Sequence, residues 1–110
     1  MQVSGNRRWG RTERRVRLEF SRWVESDLDA IADFIAQDNP QRAVTFIREI
    51  RQKIYKMSQQ PLLYQLRPEI GEAARLATVG RYVILFRILD DVVRIERVLY
   101  GGRDLPSLLQ

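Results

Sequence analysis

Tyr100 stands near the end of an arginine-rich strand, with Arg97 three residues before it and Arg103 three residues after it. A phenol can pass a proton, and guanidinium groups can balance the charge that builds on a phosphoryl group during transfer. Together with Arg81, these residues are the set a phosphodiester-cleaving site would use in this chain. The plainer reading makes Tyr100 a strand-end ring that packs on its neighbours, and it carries more weight. The chain has no histidine and no cysteine. Imidazole acid–base catalysis, thiolate nucleophiles, disulfides and cysteine–histidine zinc sites are therefore excluded together. The carboxylates are spread singly, so no metal site and no cofactor are expected. Gly101 and Gly102 follow a strand, but no helix and no further glycine pattern complete a nucleotide-binding loop.

The elements that must position these groups follow from periodicity. "VRLEFSR", residues 16–22, alternates Val16, Leu18 and Phe20 with polar residues, as a half-buried strand does. Ser26 is the expected N-cap of a first helix, with Asp27 and Asp29 in its first turn. Leu28, Ile31, Ala32 and Ile35 form one apolar stripe, and the helix should stop near Asp38. Asn39 and Pro40 are suited to capping and opening a second helix. That helix carries a seam of Ala43, Ile47, Ile50, Ile54 and Met57 and closes at Pro61. So short a joint folds the two helices into an antiparallel hairpin.

After an irregular stretch over 62–74, strand patterns return as "ARLATV", "YVILFRIL" and "VVRIERVLY". Gly80-Arg81 and Asp90-Asp91 are the expected two-residue turns. The predicted class is α+β: an N-terminal strand, a helical hairpin, then a three-stranded antiparallel meander packed on the hairpin.

Under strict alternation from the Asp90-Asp91 turn, Ile88 faces Val93, Phe86 faces Ile95, Ile84 faces Arg97 and Tyr82 faces Leu99. That face should cover the helices. The other face then holds Val83, Leu85, Arg87, Arg94, Glu96, Val98 and Tyr100. Arg87 and Arg94 sit opposite one another there, which destabilises a sheet unless something compensates. Glu96, diagonal to Arg87, is one candidate; a partner's carboxylate or a phosphate is the other. Val83, Leu85 and Val98 are expected to stay uncovered, and exposed apolar patches mark partner sites. Val83, Leu85, Arg87, Arg94, Val98 and Tyr100 are thus the expected protein-binding residues.

Charge narrows the partner class. Of the net +5, residues 1–15 contribute +4, from five arginines against Glu13. The remaining 14 basic and 13 acidic residues leave +1, too little for general attraction to phosphate. Residues 1–15 are read as a basic, mobile tail and 16–110 as one domain. No apolar run reaches the roughly 20 residues that span a bilayer, and the tail lacks the apolar segment of a secretory signal. The absence of cysteine is compatible with a reducing cytoplasm.

"DLDAIADFIAQDNPQRAVTFIREI" and "GRYVILFRILDDVVRIERVLYGGRDLPSLL" resemble the ParE branch of the ParE/RelE toxin superfamily, over about Val16 to Leu109. The most specific parts are "DNP" at Asp38, Asn39 and Pro40, the strand "YVILFRI", and the ending "VLYGGRDLP". The resemblance implies a small cytoplasmic toxin, wrapped and neutralised by a ParD-like antitoxin. It implies DNA gyrase as the target, inhibited without catalysis, and no sequence-specific DNA binding by the toxin alone. The alternative it carries is a RelE-like ribosome-dependent endoribonuclease acting through Arg81, Arg97, Tyr100 and Arg103. A third reading is an antitoxin-bound corepressor that has lost its toxicity. Tyr100 stands where many relatives have histidine, which keeps the nuclease open; only Lys53 and Lys56 as helix-2 lysines count against it. In "GGRD" the glycines permit a sharp exit and Asp104 suits the turn, so Arg103 is expected to pin the C-terminal segment.

Overall fold

The computed structural model describes residues 17–102. The tail over 1–15, Val16 and Arg103 lie outside the described residues, so the expectations placed on them are not addressed by the fold. The elements are β1 (Arg17–Phe20), α1 (Val24–Ala36), α2 (Pro40–Gln59), a 3-10 turn (Pro61–Leu63), β2 (Ala74–Val79), β3 (Tyr82–Leu89) and β4 (Val92–Tyr100). They form the expected α+β architecture, with both helices against one four-stranded sheet ordered β1-β4-β3-β2. β1 joins the edge in parallel to β4, pairing Arg17–Phe20 with Val92–Ile95; the other pairings are antiparallel.

The α1–α2 joint follows its sequence signals. Asn39 Oδ1 accepts from the Arg42 amide at 3.0 Å, and Pro40 takes the first turn, where its missing N–H costs nothing. Ser26 is not the cap of α1. The helix begins at Val24, while Ser26 Oγ donates back to the Trp23 carbonyl at 3.0 Å. The early start brings Val24, fully buried, into line with Leu28, Ile31 and Ile35. Burying such a side chain contributes about 1.5–3 kcal/mol, more than a cap is worth. In α2 the apolar seam runs through Ala43, Phe46, Ile50, Ile54 and Met57, and Ile47 is only half-buried.

The two turns of the meander form as expected. Val79 pairs with Tyr82 across Gly80-Arg81, where Gly80 has φ +58°. Leu89 pairs with Val92 across Asp90-Asp91, where Asp90 has φ +58°. Beyond Phe86–Ile95, however, strict alternation fails. Leu85 pairs with Arg97, Ile84 with Val98, Val83 with Leu99 and Tyr82 with Tyr100, leaving Glu96 as the extra residue of a β-bulge. Without it Arg97 would enter the core beneath the helices, a burial of charge that costs several kcal/mol. The bulge puts Val98 there instead, 1% exposed and in one cluster with Ile84, Leu28 and Ile50.

Candidate functional site

The bulge also sets the surroundings of Arg97. β1 stops at Phe20; Ser21 then closes the β4 edge, its amide donating to Ile95 C=O and its hydroxyl to Glu96 C=O. One turn into α1, Asp27 meets the next stretch of that edge. Its Oδ2 accepts the Val98 amide at 3.0 Å and Arg97 Nε at 2.9 Å, and its Oδ1 accepts Arg97 Nη2 at 2.8 Å. Asp27 is 8% exposed, and the Arg97 guanidinium lies 5.7 Å from the Trp23 ring. The hydrogen bond to Asp27 raises the pKa of Arg97 further above its ordinary value, opposed by desolvation. This is a two-pronged, charge-assisted bond between the first turn of α1 and the last strand. The guanidinium of Arg97 is committed to structure.

Beyond Asp27 the flank of α1 and the end of β4 diverge into a groove. Its inner part, about 170 Å³, is lined by Asp27, Ala30, Ile31 and Phe34 of α1 with Tyr82 and Val98–Tyr100. The outer part, about 600 Å³, runs between Phe34, Phe46, Tyr82 and Tyr100 and ends at Arg42 and Arg81. Phe34 is 66% exposed and Tyr100 46%, so the two large rings stand open to solvent. Tyr82 holds the floor, 5.5 Å from the Phe46 ring and edge-on to Tyr100 at 5.8 Å. Arg42 is tied to Glu49 at 2.6 Å, whereas Arg81 has no ion pair among the described residues. A groove with aromatic walls and a cationic end suits an apolar side chain flanked by a carboxylate.

The sheet face away from the helices is divided. Its charged half places Arg87 opposite Arg94, as the turn register predicts. Glu96 Oε2 sits between them, 3.6 Å from Arg87 Nη1 and 3.3 Å from Arg94 Nε, and Glu19 lies 3.5 Å from Arg94. The compensation thus comes from within the chain. Its apolar half is closed: Val83 is 7% exposed and Leu85 0%, packed with Leu99, Ala74 and Ile70.

The family model for the ParE toxin of the type II toxin–antitoxin system parDE matches residues 18–105. The chain belongs to the ParE toxin family. A solved structure of the chromosomal ParDE system from P. aeruginosa matches with TM-score 0.68 and 23% identity, over 77% of this chain and 95% of that one. The toxin–antitoxin complex RelBE2 from Mycobacterium tuberculosis matches with TM-score 0.57 and 24% identity, over 77% and 96%. Both likenesses are of fold. No curated protein matches the chain.

In this ParE-family chain the residues expected to bind protein do not share one surface. Val83, Leu85 and Val98 were expected in an exposed patch; all three are buried. The connector over 62–74, which carries no periodic pattern, folds Ile70 onto Val83 and Leu85, and the bulge turns Val98 into the helix-side core. The bulge likewise carries Tyr100 to the helix side, away from Arg87 and Arg94. Of the four residues of the nuclease alternative, Arg81 and Tyr100 line one cavity, Arg97 is held by Asp27, and Arg103 lies outside the described residues. The groove residues Phe34, Phe46 and Tyr82 and the anchor Asp27 were missed. Asp27 had a signal: a carboxylate four residues before Ile31, on the apolar stripe. Phe34 had one too, an aromatic ring on the flank of that stripe. Among the described residues, no group of three acidic side chains is placed to hold a metal, and no helix is long and apolar enough to cross a membrane.

Proposed function

We propose that this chain is a toxin that arrests growth by binding DNA gyrase in the cytoplasm, without catalysis, and that a ParD-like antitoxin neutralises it. The observation that carries the reading is the commitment of Arg97 to Asp27, at 2.8 and 2.9 Å. A nuclease needs cations that are free to meet charge as it develops on the phosphate. Arg97 instead faces a carboxylate that already balances it, with its side chain 20% exposed. Among the described residues, Arg81 is then the cation of that set that stands beside the Tyr100 phenol. The antitoxin partner is supported by family membership and by the two solved complexes with the same fold.

The RelE-like reading has one observation in its favour, the placement of Arg81 and Tyr100 on a single cavity. Tyr100→Phe separates the two. It keeps the ring and its contact with Tyr82 but removes the proton-transfer group, which in a nuclease is worth about 10²- to 10⁴-fold. Expression of Tyr100→Phe should still stop growth, with filamentation and a DNA-damage response. A folded Tyr100→Phe protein without toxicity, from a parent that depletes mRNA, would transfer the assignment to the nuclease.

A further inference from the structure

We infer that two copies of this chain pair through the outer side of the helical hairpin, α1 of each copy lying antiparallel on α2 of the other. Pairing of this kind needs neither an antitoxin nor a target.

The first observation is an apolar hollow on α2, away from the core seam of Phe46, Ile50, Ile54 and Met57. Val44, Ile47 and Tyr55 line a shallow space of about 500 Å³, bordered by Arg48 and Arg51. Val44 is 60% exposed and Tyr55 65%, so nothing among the described residues covers it. Arg51 shows that this is the flank beside α1, because its guanidinium reaches Glu25 at 3.0 Å. An apolar strip set between arginines suits an amphipathic helix with an acidic edge.

The second observation is that the chain carries such a helix itself. α1 has Glu25, Asp27, Asp29 and Asp33 and no basic residue, whereas α2 has five basic residues against Glu49 alone. Glu25, Asp29 and Asp33 recur every four residues as one exposed stripe, a spacing at which like charges repel. The hairpin is antiparallel, so each step along α1 from the Glu25–Arg51 contact is a step back along α2. Asp29 therefore comes level with Ile47 and Arg48, and Asp33 with Ala43 and Val44.

Symmetry decides how a second copy sits on this side. A two-fold axis running across the helices stacks α1 on α1, acid against acid, and α2 on α2. An axis running along them stacks each α1 on the other copy's α2 and keeps the levels matched. Asp29 of one copy then meets Arg48 of the other, Glu25 approaches the other copy's Arg51, and the strip from Val44 to Tyr55 is covered. Each contact is made twice. Charge favours this arrangement and rejects the first.

The test is sedimentation equilibrium of the full chain and of variants at exposed positions. Asp29→Lys and Arg48→Glu should fold as the parent does, which circular dichroism and thermal melting verify. The parent should form a dimer that weakens as salt rises. Each variant alone should dimerise more weakly by roughly tenfold or more, because the two-fold repeats the repulsion. Mixed one to one, the two variants should dimerise with each other about as well as the parent, since both charge pairs are then restored in reverse. Tyr55→Asp should also weaken the dimer, through the lost apolar contact. A parent that stays monomeric overturns the inference. So does a dimer indifferent to both charge variants, which places the contact on another face. Weak variants that the mixture fails to rescue overturn it too, because α1 would then not lie on the other copy's α2.

Discussion

At the scale of single residues, two charged clusters explain how a strand rich in arginine is tolerated. Asp27 is nearly buried and satisfies both Arg97 and the Val98 amide, so its loss leaves a cation and a backbone donor unmatched. Removing one member of such a pair costs about 3–5 kcal/mol. Asp27→Ala should fall in that range by urea denaturation, and a loss under about 1 kcal/mol would show that the pair is not structural. The raised Arg97 pKa means this pair's cation persists across the accessible pH range: its contribution is present below the unfolded arginine pKa and is lost only as pH rises through the folded one. Glu49 behaves in the opposite sense. Its hydrogen bond from Arg42 lowers its pKa, so its contribution is present above the unfolded carboxylate pKa and fades as pH falls through the folded value. Glu96, between Arg87 and Arg94, is the other test. Glu96→Gln should cost about 1 kcal/mol at low salt and less at high salt, because like charges directly opposite repel and salt screens them. A cost independent of salt would contradict that assignment.

At the scale of elements, the core is carried by α2 and the middle of the meander. Ile50 is fully buried, whereas Ile47 is half-buried at the edge of the same seam. Ile50→Ala should cost about 2–5 kcal/mol, the range for a buried large-to-small change, and Ile47→Ala clearly less. Equal losses in chemical denaturation would mean that the facing of α2 is misassigned. These elements were legible because the helix stripes, the Asn39-Pro40 start and the Gly80-Arg81 turn each report a local physical requirement. The bulge was not read, because a two-residue period assumes that every residue of β4 has a partner. Its trace is present in "IERV", where two charged residues separate Ile95 from Val98, and one alternation cannot bury both ends. The start of α1 was misplaced for a related reason: a capping serine is a local signal, and the burial of Val24 is a tertiary one.

At the scale of the whole molecule, the sheet has one face under the helices and another whose apolar half the chain itself closes. Leu85, once a candidate for contact with a partner, is 0% exposed. Leu85→Glu should therefore unfold the protein, since a carboxylate there has no charge to pair with among Ile70, Ala74, Val83 and Leu99. A Leu85→Glu chain with an unchanged melting temperature and weakened partner binding would restore the original reading. The identity of that second face depended on where an aperiodic connector would land, which no residue pattern states. Among the described residues, the groove at the end of β4 stays open, and Tyr100 and Arg81, which has no ion pair there, both line it. Toxicity is proposed to be surface binding to a topoisomerase. Its most direct measurement is supercoiling of relaxed plasmid by purified gyrase, with the chain added and then with chain and antitoxin together. The expected result is loss of supercoiling with accumulation of cleaved plasmid, reversed by the antitoxin and unaffected by Tyr100→Phe. Undiminished supercoiling by gyrase, alongside mRNA cut on translating ribosomes by the same preparation, would contradict it.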